Sequence, residues 1–181
     1  MTEFAAIPII RRATANDAPA LATLARRTFT DAFAADNSPE DLAEFLDATY
    51  STAIQASELA DPALSYFVAD EGGDLLGFGL LRTGTASAFV ADPTAIELQR
   101  IYVDRSHHGT GLAQTLMATL IIEATRRGAG ALFLGVFERN AKALRFYAAQ
   151  GFREVGAQTF VVGSDPQRDL VLVRDLTPLV D

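Results

Sequence analysis

At 181 residues the chain fits one domain, spanning 1–181, with room for a core that needs no disulfide or metal staple. It is 49% hydrophobic and 21% charged, as ordinary globular proteins are, and no apolar run reaches the ~18 residues of a membrane span, so no membrane partner is expected. The absence of cysteine excludes a disulfide framework, a thiolate metal site and a Cys nucleophile. A net charge of −8 argues against nucleic acid as a partner and leaves room for a cationic small substrate. In MTEFAAIPIIRR the basic pair follows the apolar stretch, the reverse of a secretory leader, which points to the cytoplasm.

Ile7–Arg11 reads as a first strand. Asn16 then caps a helix running to Thr30, with Leu21, Leu24 and Ala25 on its buried stripe. Ser38-Pro39-Glu40-Asp41 starts a second helix: a capping hydroxyl, proline at the first helical position, and acids at the positive helix end. A third helix covers Thr52–Leu59 and breaks at Asp61-Pro62. Ser65–Asp70 and Leu75–Leu81 flank Glu71-Gly72-Gly73-Asp74 as a hairpin. Ala95–Val103 is a further strand, and a long amphipathic helix through Leu112, Leu116, Leu120 and Ile121 ends at Gly128. Ala131–Phe137 is a strand, Asn140–Gln150 a helix, and Phe152–Val162 with Leu170–Arg174 a closing antiparallel pair. Without strict βα alternation this is an α/β (α+β) domain with a mixed sheet.

The most informative segment is Ile101-Tyr102-Val103-Asp104-Arg105-Ser106-His107-His108-Gly109-Thr110-Gly111-Leu112-Ala113. A strand enters a Gly-x-Gly turn and a helix follows at once. Glycines let backbone approach a ligand, and the first helical turn offers unpaired N–H groups at a positive dipole end, which suits phosphate. Gly-x-Gly alone serves equally as a tight turn. Gln114 stands where a dinucleotide fingerprint needs a third glycine, and Leu112-Ala113 lacks the Lys-Ser/Thr of a P-loop. His107 and His108 are adjacent, so their side chains diverge, and with no cysteine no metal site is expected.

In the helix after Phe137, Asn140 and Tyr147 are seven positions apart and share a face, with the small Ala143 between them. Asn140 as a plain helix cap and Tyr147 as a core aromatic are the alternative.

The string from Asn140 to Phe152 resembles the pattern Asn-x-x-Ala-x-x-Phe-Tyr-x-x-x-Gly-Phe of the GNAT acetyltransferases, matching at Asn140, Ala143, Phe146, Tyr147, Gly151 and Phe152. The glycine loop resembles that family's Gln/Arg-x-x-Gly-x-Gly/Ala pyrophosphate loop, with Gly111 and Ala113 in register and His108 in place of Gln/Arg. The resemblance implies the GNAT fold, a mixed and mostly antiparallel central sheet flanked by helices. It also implies acetyl-CoA as co-substrate, without a metal, and transfer of an acetyl group to an amine. Ile101, Tyr102, Val103, His108, Gly109, Thr110, Gly111, Leu112 and Ala113 would then line the cofactor's phosphate end, and Asn140 and Ala143 its pantetheine arm. Tyr147 would put its hydroxyl on the sulfur as the general acid.

An alkylamine with a pKa of ~10.4 must lose a proton before it attacks a thioester. Without cysteine, direct attack in a ternary complex is the simplest route. Backbone N–H groups near Leu98 to Ile101 would meet the developing oxyanion. By period-two alternation Glu97, Gln99, Ile101 and Val103 share a face, so Glu97 is the candidate base in contact with substrate; pairing with Arg100 or solvent is its alternative role. Phe29 and Phe33 are expected at the acceptor. The stretches TFTDAFAADNSPEDLAEFL and FVVGSDPQRDLVLVRDL resemble the spermidine/spermine-acetylating branch, and Asp31, Asp36 and Glu40 suit a polycation. The expected partner is thus a small-molecule amine, with a homodimer allowed by the family. Acetylation of a protein N-terminus or lysine, and non-catalytic CoA binding, are the competing readings.

Overall fold

The computed structural model describes residues 8–176; Ile7 and the N-terminal segment read for a leader lie outside them. A short β1 (Ile9–Arg12) leads through a 3₁₀ turn into α1 (Ala18–Phe33), α2 (Pro39–Thr49) and α3 (Thr52–Ala60). The hairpin β2 (Leu64–Glu71) and β3 (Asp74–Arg82) precedes β4 (Ile96–Val103), α4 (Leu112–Arg126), β5 (Ala131–Phe137), α5 (Ala141–Ala149), β6 (Arg153–Val162) and β7 (Asp165–Asp175).

The strands form one seven-stranded sheet in the order β1-β2-β3-β4-β5-β7-β6. Every pairing is antiparallel except β4 with β5, the mixed and mostly antiparallel sheet of the GNAT fold. Leu80 packs with Leu21, Leu24, Phe29 and Leu46 of α1 and α2, whereas its neighbour Leu81 packs with Leu116, Met117 and Leu120 of α4. The sheet is therefore covered on both faces, which is why β2 and β3 carry almost continuous apolar runs.

Local chemistry sets the element ends. Ser38 Oγ accepts the Asp41 amide at 3.1 Å, with Pro39 in the first turn of α2, and Ser51 Oγ accepts the Ile54 amide at 3.2 Å to start α3. The start of α1 differs from expectation. Thr14 and Asp17 close a capping box around Ala15–Asp17, so α1 begins at Ala18 with Pro19 in its first turn, and Asn16 is no cap. β7 begins at Asp165, well before the expected Leu170, because Pro166 and Gln167 pair with Val161 and Phe160 across a tight turn at Gly163-Ser164. That turn is fastened to α2: Asp41 Oδ1 accepts the Ser164 amide at 2.7 Å and the Ser164 hydroxyl at 2.9 Å.

Behind β4 lies a largely buried polar cluster. Arg100 donates to Glu58 at 2.8 and 3.1 Å and to the Tyr66 hydroxyl at 2.6 Å, and its guanidinium lies over the Tyr50 ring. Glu58, and not Glu97, is the carboxylate that compensates Arg100. Removing one partner of such a pair leaves a buried charge unpaired. Glu58→Gln is expected to cost about 3 kcal/mol or more in urea unfolding, far above the ~1 kcal/mol ceiling of an exposed pair.

Candidate active site

β4 and β5 pair only at Ile96↔Leu132 and Glu97↔Phe133. Beyond those positions β4 stays on β3 as far as Val103 and β5 stays on β7 as far as Phe137, so the two strands diverge while each remains extended. The divergence starts at a bulge. Leu80 pairs with Arg100 and Leu81 with Leu98, leaving Gln99 as the extra residue of β4. The wedge opens into a cavity of about 660 Å³ that runs from the glycine loop to the aromatic side chains of α1.

At one end, Gly109 (φ 81°) and Gly111 (φ 89°) hold left-handed conformations that favour glycine, with open space where side chains would stand. Gly111 is the N-cap of α4 and supplies no side-chain cap, so the first amides of the helix face the cavity mouth. The His108 ring is held at both nitrogens, by the Val103 carbonyl at 3.0 Å and by Lys142 Nζ at 2.7 Å. A carbonyl only accepts and an ammonium donates, so this geometry suits Nε2 as donor and Nδ1 as acceptor. His108 therefore bridges β4 to α5, and Lys142, which no motif position singled out, brings a cation to the loop. This donor set fits a pyrophosphate: left-handed glycines, an uncapped helix start, Lys142 and Arg105. Ile101, Tyr102, Val103, His108, Gly109, Gly111 and Ala113 line the cavity. Two expected residues do not. Leu112 is buried in the core, as the apolar stripe of α4 requires, and the Thr110 hydroxyl turns back to the His107 carbonyl at 2.8 Å.

In the middle of the cavity stand Asn140, Ala143 and Tyr147 of α5. Asn140 Oδ1 caps the helix by accepting the Ala143 amide at 3.0 Å, which leaves its NH₂ group to donate elsewhere. Capping and cavity contact are thus both open to one side chain. The Tyr147 ring packs edge-on against Phe146 and Phe152. Burial alone pushes its phenol well above the ordinary range, with no charged neighbour contributing.

The other end is aromatic. Phe29 stacks on Phe45 at 4.5 Å and contacts Phe33 at 4.4 Å, Phe33 reaches Phe137, and Phe45 meets Phe160 of β6. Phe29, Asp31 and Phe33 all line the cavity. Asp36 and Glu40 do not line it; Asp36 faces Arg139 at 3.8 Å. Gln167 of β7 closes this end by donating to Asn37 Oδ1 at 2.6 Å.

Glu97 needs a correction. The Gln99 bulge shifts the alternation: Ile96 and Leu98 share the α4-facing core with Ile101, while Arg100 and Tyr102 turn toward α1 and α3. Glu97 and Ile101 are therefore not on one face. Glu97 lines an adjoining recess of about 230 Å³, with Thr85, Ser87 and Gln158, and does not line the main cavity. The carboxylate buried in the main cavity is Asp169 of β7, and the strand reading that began at Leu170 left it out. Burial lifts its pKa to about 6.

Residues 20–152 match the family model described as the Acetyltransferase (GNAT) family. An uncharacterized N-acetyltransferase of Mycobacterium tuberculosis is 38% identical over 160 residues, covering 88% of this chain and 98% of the relative. One from Lactobacillus delbrueckii is 33% identical over 160 residues, covering 88% of this chain and 92% of that protein. Among solved structures, the PaiA N-acetyltransferase of Thermoplasma acidophilum in complex with coenzyme A shares the fold at a TM-score of 0.77 and 19% identity, over 93% of this chain and 98% of that one. With an opened parallel strand pair, a glycine loop at a helix start and a family match over most of its length, the chain belongs to the GNAT acetyltransferases and is an acyltransferase.

Proposed function

We propose that this protein transfers the acetyl group of acetyl-CoA directly to a primary amine of a small molecule, a polyamine being the acceptor class. The observation that carries this reading is the continuity of the cavity, from the Gly109–Ala113 loop past Tyr147 to the aromatic end. Phe160 and Gln167 line that end and are fastened to α2 and to Asn37 before it, an enclosure that favours a small acceptor over a protein chain. Asp31 on the wall and the net charge of −8 favour a cationic one.

Acetyl-CoA supplies an acyl thioester, already activated toward amines. The chain supplies the rest. The amides of the glycine loop and the first turn of α4, with Lys142, hold the pyrophosphate. Asn140 Nδ2 and the space above Ala143 take the pantetheine arm. Amides of β4 past the bulge, released from any ladder with β5, aim at the thioester oxygen without needing to reorganise. Tyr147 offers its proton to the departing sulfur, and because burial raises its pKa it keeps that proton through neutral and mildly alkaline pH. A cysteinyl acyl-enzyme has no residue to form on.

Three measurements test this reading. Gly111→Asp sets a carboxylate against the pyrophosphate, and calorimetry should show CoA affinity reduced by roughly tenfold or more, while Lys142→Ala reduces it only about two- to fivefold at low salt and hardly at all at high salt. Undiminished binding in Gly111→Asp would remove the loop from the site. Tyr147→Phe keeps the ring and should lower kcat by roughly 10²–10⁴-fold with CoA affinity unchanged; a wild-type kcat under chemistry-limited conditions refutes the acid role. Spermidine should exceed a neutral-tailed alkylamine of similar length and a short peptide in kcat/KM, with added salt raising the acceptor KM more than the acetyl-CoA KM. Should the peptide win, the acceptor is a protein.

A further inference from the structure

Among the described residues, three buried side-chain oxygens have no hydrogen-bond partner: Thr85 Oγ1, Gln99 Oε1 and Asp169 Oδ1. Gln99 and Asp169 line the main cavity, and Thr85 lines the recess beside it. Asp169 is only 7% exposed. A buried carboxylate without a donor is costly, and folded proteins satisfy such groups or keep them for a ligand. Among the described residues no basic side chain pairs with it. The adjacent Arg168 is taken by Glu138, and Arg100 by Glu58.

The backbone accounts for how both residues come to line the cavity. Gln99 is the extra residue of the β4 bulge. Asp169 sits opposite Phe137 on β5 and Gln158 on β6. Its other oxygen lies over Gly135, where an added Cβ would stand 3.3 Å from Oδ2 and 3.0 Å from Gln158 Nε2. A side chain at 135 would crowd Asp169 and Gln158, so glycine there keeps the approach to Asp169 open.

We propose that Asp169 is the group that receives the acceptor's ammonium and takes its proton. This deepens the acetyl-transfer reading above and rests on it. An ammonium is a donor only, and the unpartnered carboxylate is an acceptor that complements it. One proton passes from R–NH₃⁺ to Asp169, leaving R–NH₂ and a neutral carboxylic acid. The nitrogen lone pair then forms the C–N bond to the thioester carbon, the C–S bond breaks with its electron pair on sulfur, and Tyr147 protonates that sulfur. The amide nitrogen's surplus proton restores Tyr147, and the proton on Asp169 leaves to water, so one proton is released per turnover.

The groups facing Asp169 from the packed elements are Tyr102 of β4, Gly135 and Phe137 of β5 and Gln158 of β6; of these only Tyr102 titrates, and burial holds its phenol far above neutrality. Burial of Asp169 raises its pKa from 3.8 to about 6, so free enzyme gains the base as pH rises through that value. The same shift has a stability consequence of definite sign. Between about pH 4 and pH 6 the folded protein holds a proton that the unfolded chain has released, so stability falls as pH rises through that window. A structural carboxylate with a partner would do the opposite.

The test combines binding, titration and turnover. In ¹³C-aspartate-labelled protein, the carboxyl resonance missing from Asp169→Asn should titrate near pH 6 and move down by about a unit or more with millimolar n-butylamine or spermidine. Asp169→Asn should lower kcat/KM for the amine by roughly 10²–10⁴-fold and abolish the acidic limb near pH 6, with CoA affinity unchanged and Tm at pH 7.5 no lower than wild type. Asp169→Glu should recover part of the rate and the limb. An unresponsive resonance, or a fully active Asp169→Asn that keeps the limb, overturns the proposal while leaving acetyl transfer intact. Wild-type protein that binds no CoA overturns the reading beneath it instead.

Discussion

The parallel pairing of β4 with β5 lasts for two register positions, and the site is built on its failure to continue. Both strands are held on their outer sides, β4 by β3 and β5 by β7, so neither can swing back to complete the ladder. The backbone groups that face each other across the wedge must be met by something other than protein backbone, because unpaired buried amides and carbonyls are costly. Gln99 starts the divergence by adding a residue that β3 cannot match, and the Arg100 cluster fixes β4 one position later. The rest of the site hangs on this gap: the glycine loop sits at the end of β4, α5 follows the end of β5, and the cavity lies between them.

Much of this was legible in the residues. The Gly-x-Gly turn at a helix start, the Asn140–Tyr147 face and the limits of Ala131–Phe137 rest on local backbone chemistry and short-range periodicity, which a single chain displays directly. What escaped depends on partners distant in sequence. Period-two alternation assumes an unbroken strand, and nothing around Glu97-Leu98-Gln99-Arg100 announces a bulge whose cause lies in the register with β3. One inserted residue was enough to move Glu97 into the neighbouring recess. The Asp165-Pro166-Gln167-Arg168-Asp169 run has the polarity of a loop and becomes strand only because β6 pairs with it. Lys142 matches no motif letter and matters through its bond to His108, 34 residues earlier.

His108 illustrates how a departure from a family pattern is absorbed. The ring cannot present a permanent charge as arginine does, yet its two nitrogens tie the strand before the loop to a lysine on the helix after β5. Lys142 reaches the loop from a different element, beside Arg105 of the loop itself, and its neighbour His108 holds it in place.

The staple from Asp41 to the Ser164 turn joins parts of the chain 123 residues apart, and it separates two kinds of inheritance. In the proposed reading, the groups that would face the acyl donor come from one contiguous stretch, β4 through α5. The other end of the cavity is walled by α1 at one end of the chain and by β6 and β7 at the other, with α2 joined to the β6–β7 turn through a hairpin tip and a helix start. Substitutions in those outer segments can reshape what is admitted without disturbing how the donor is gripped. A lineage built this way can diversify its choice of amine by drift at its margins while its central third stays recognisable.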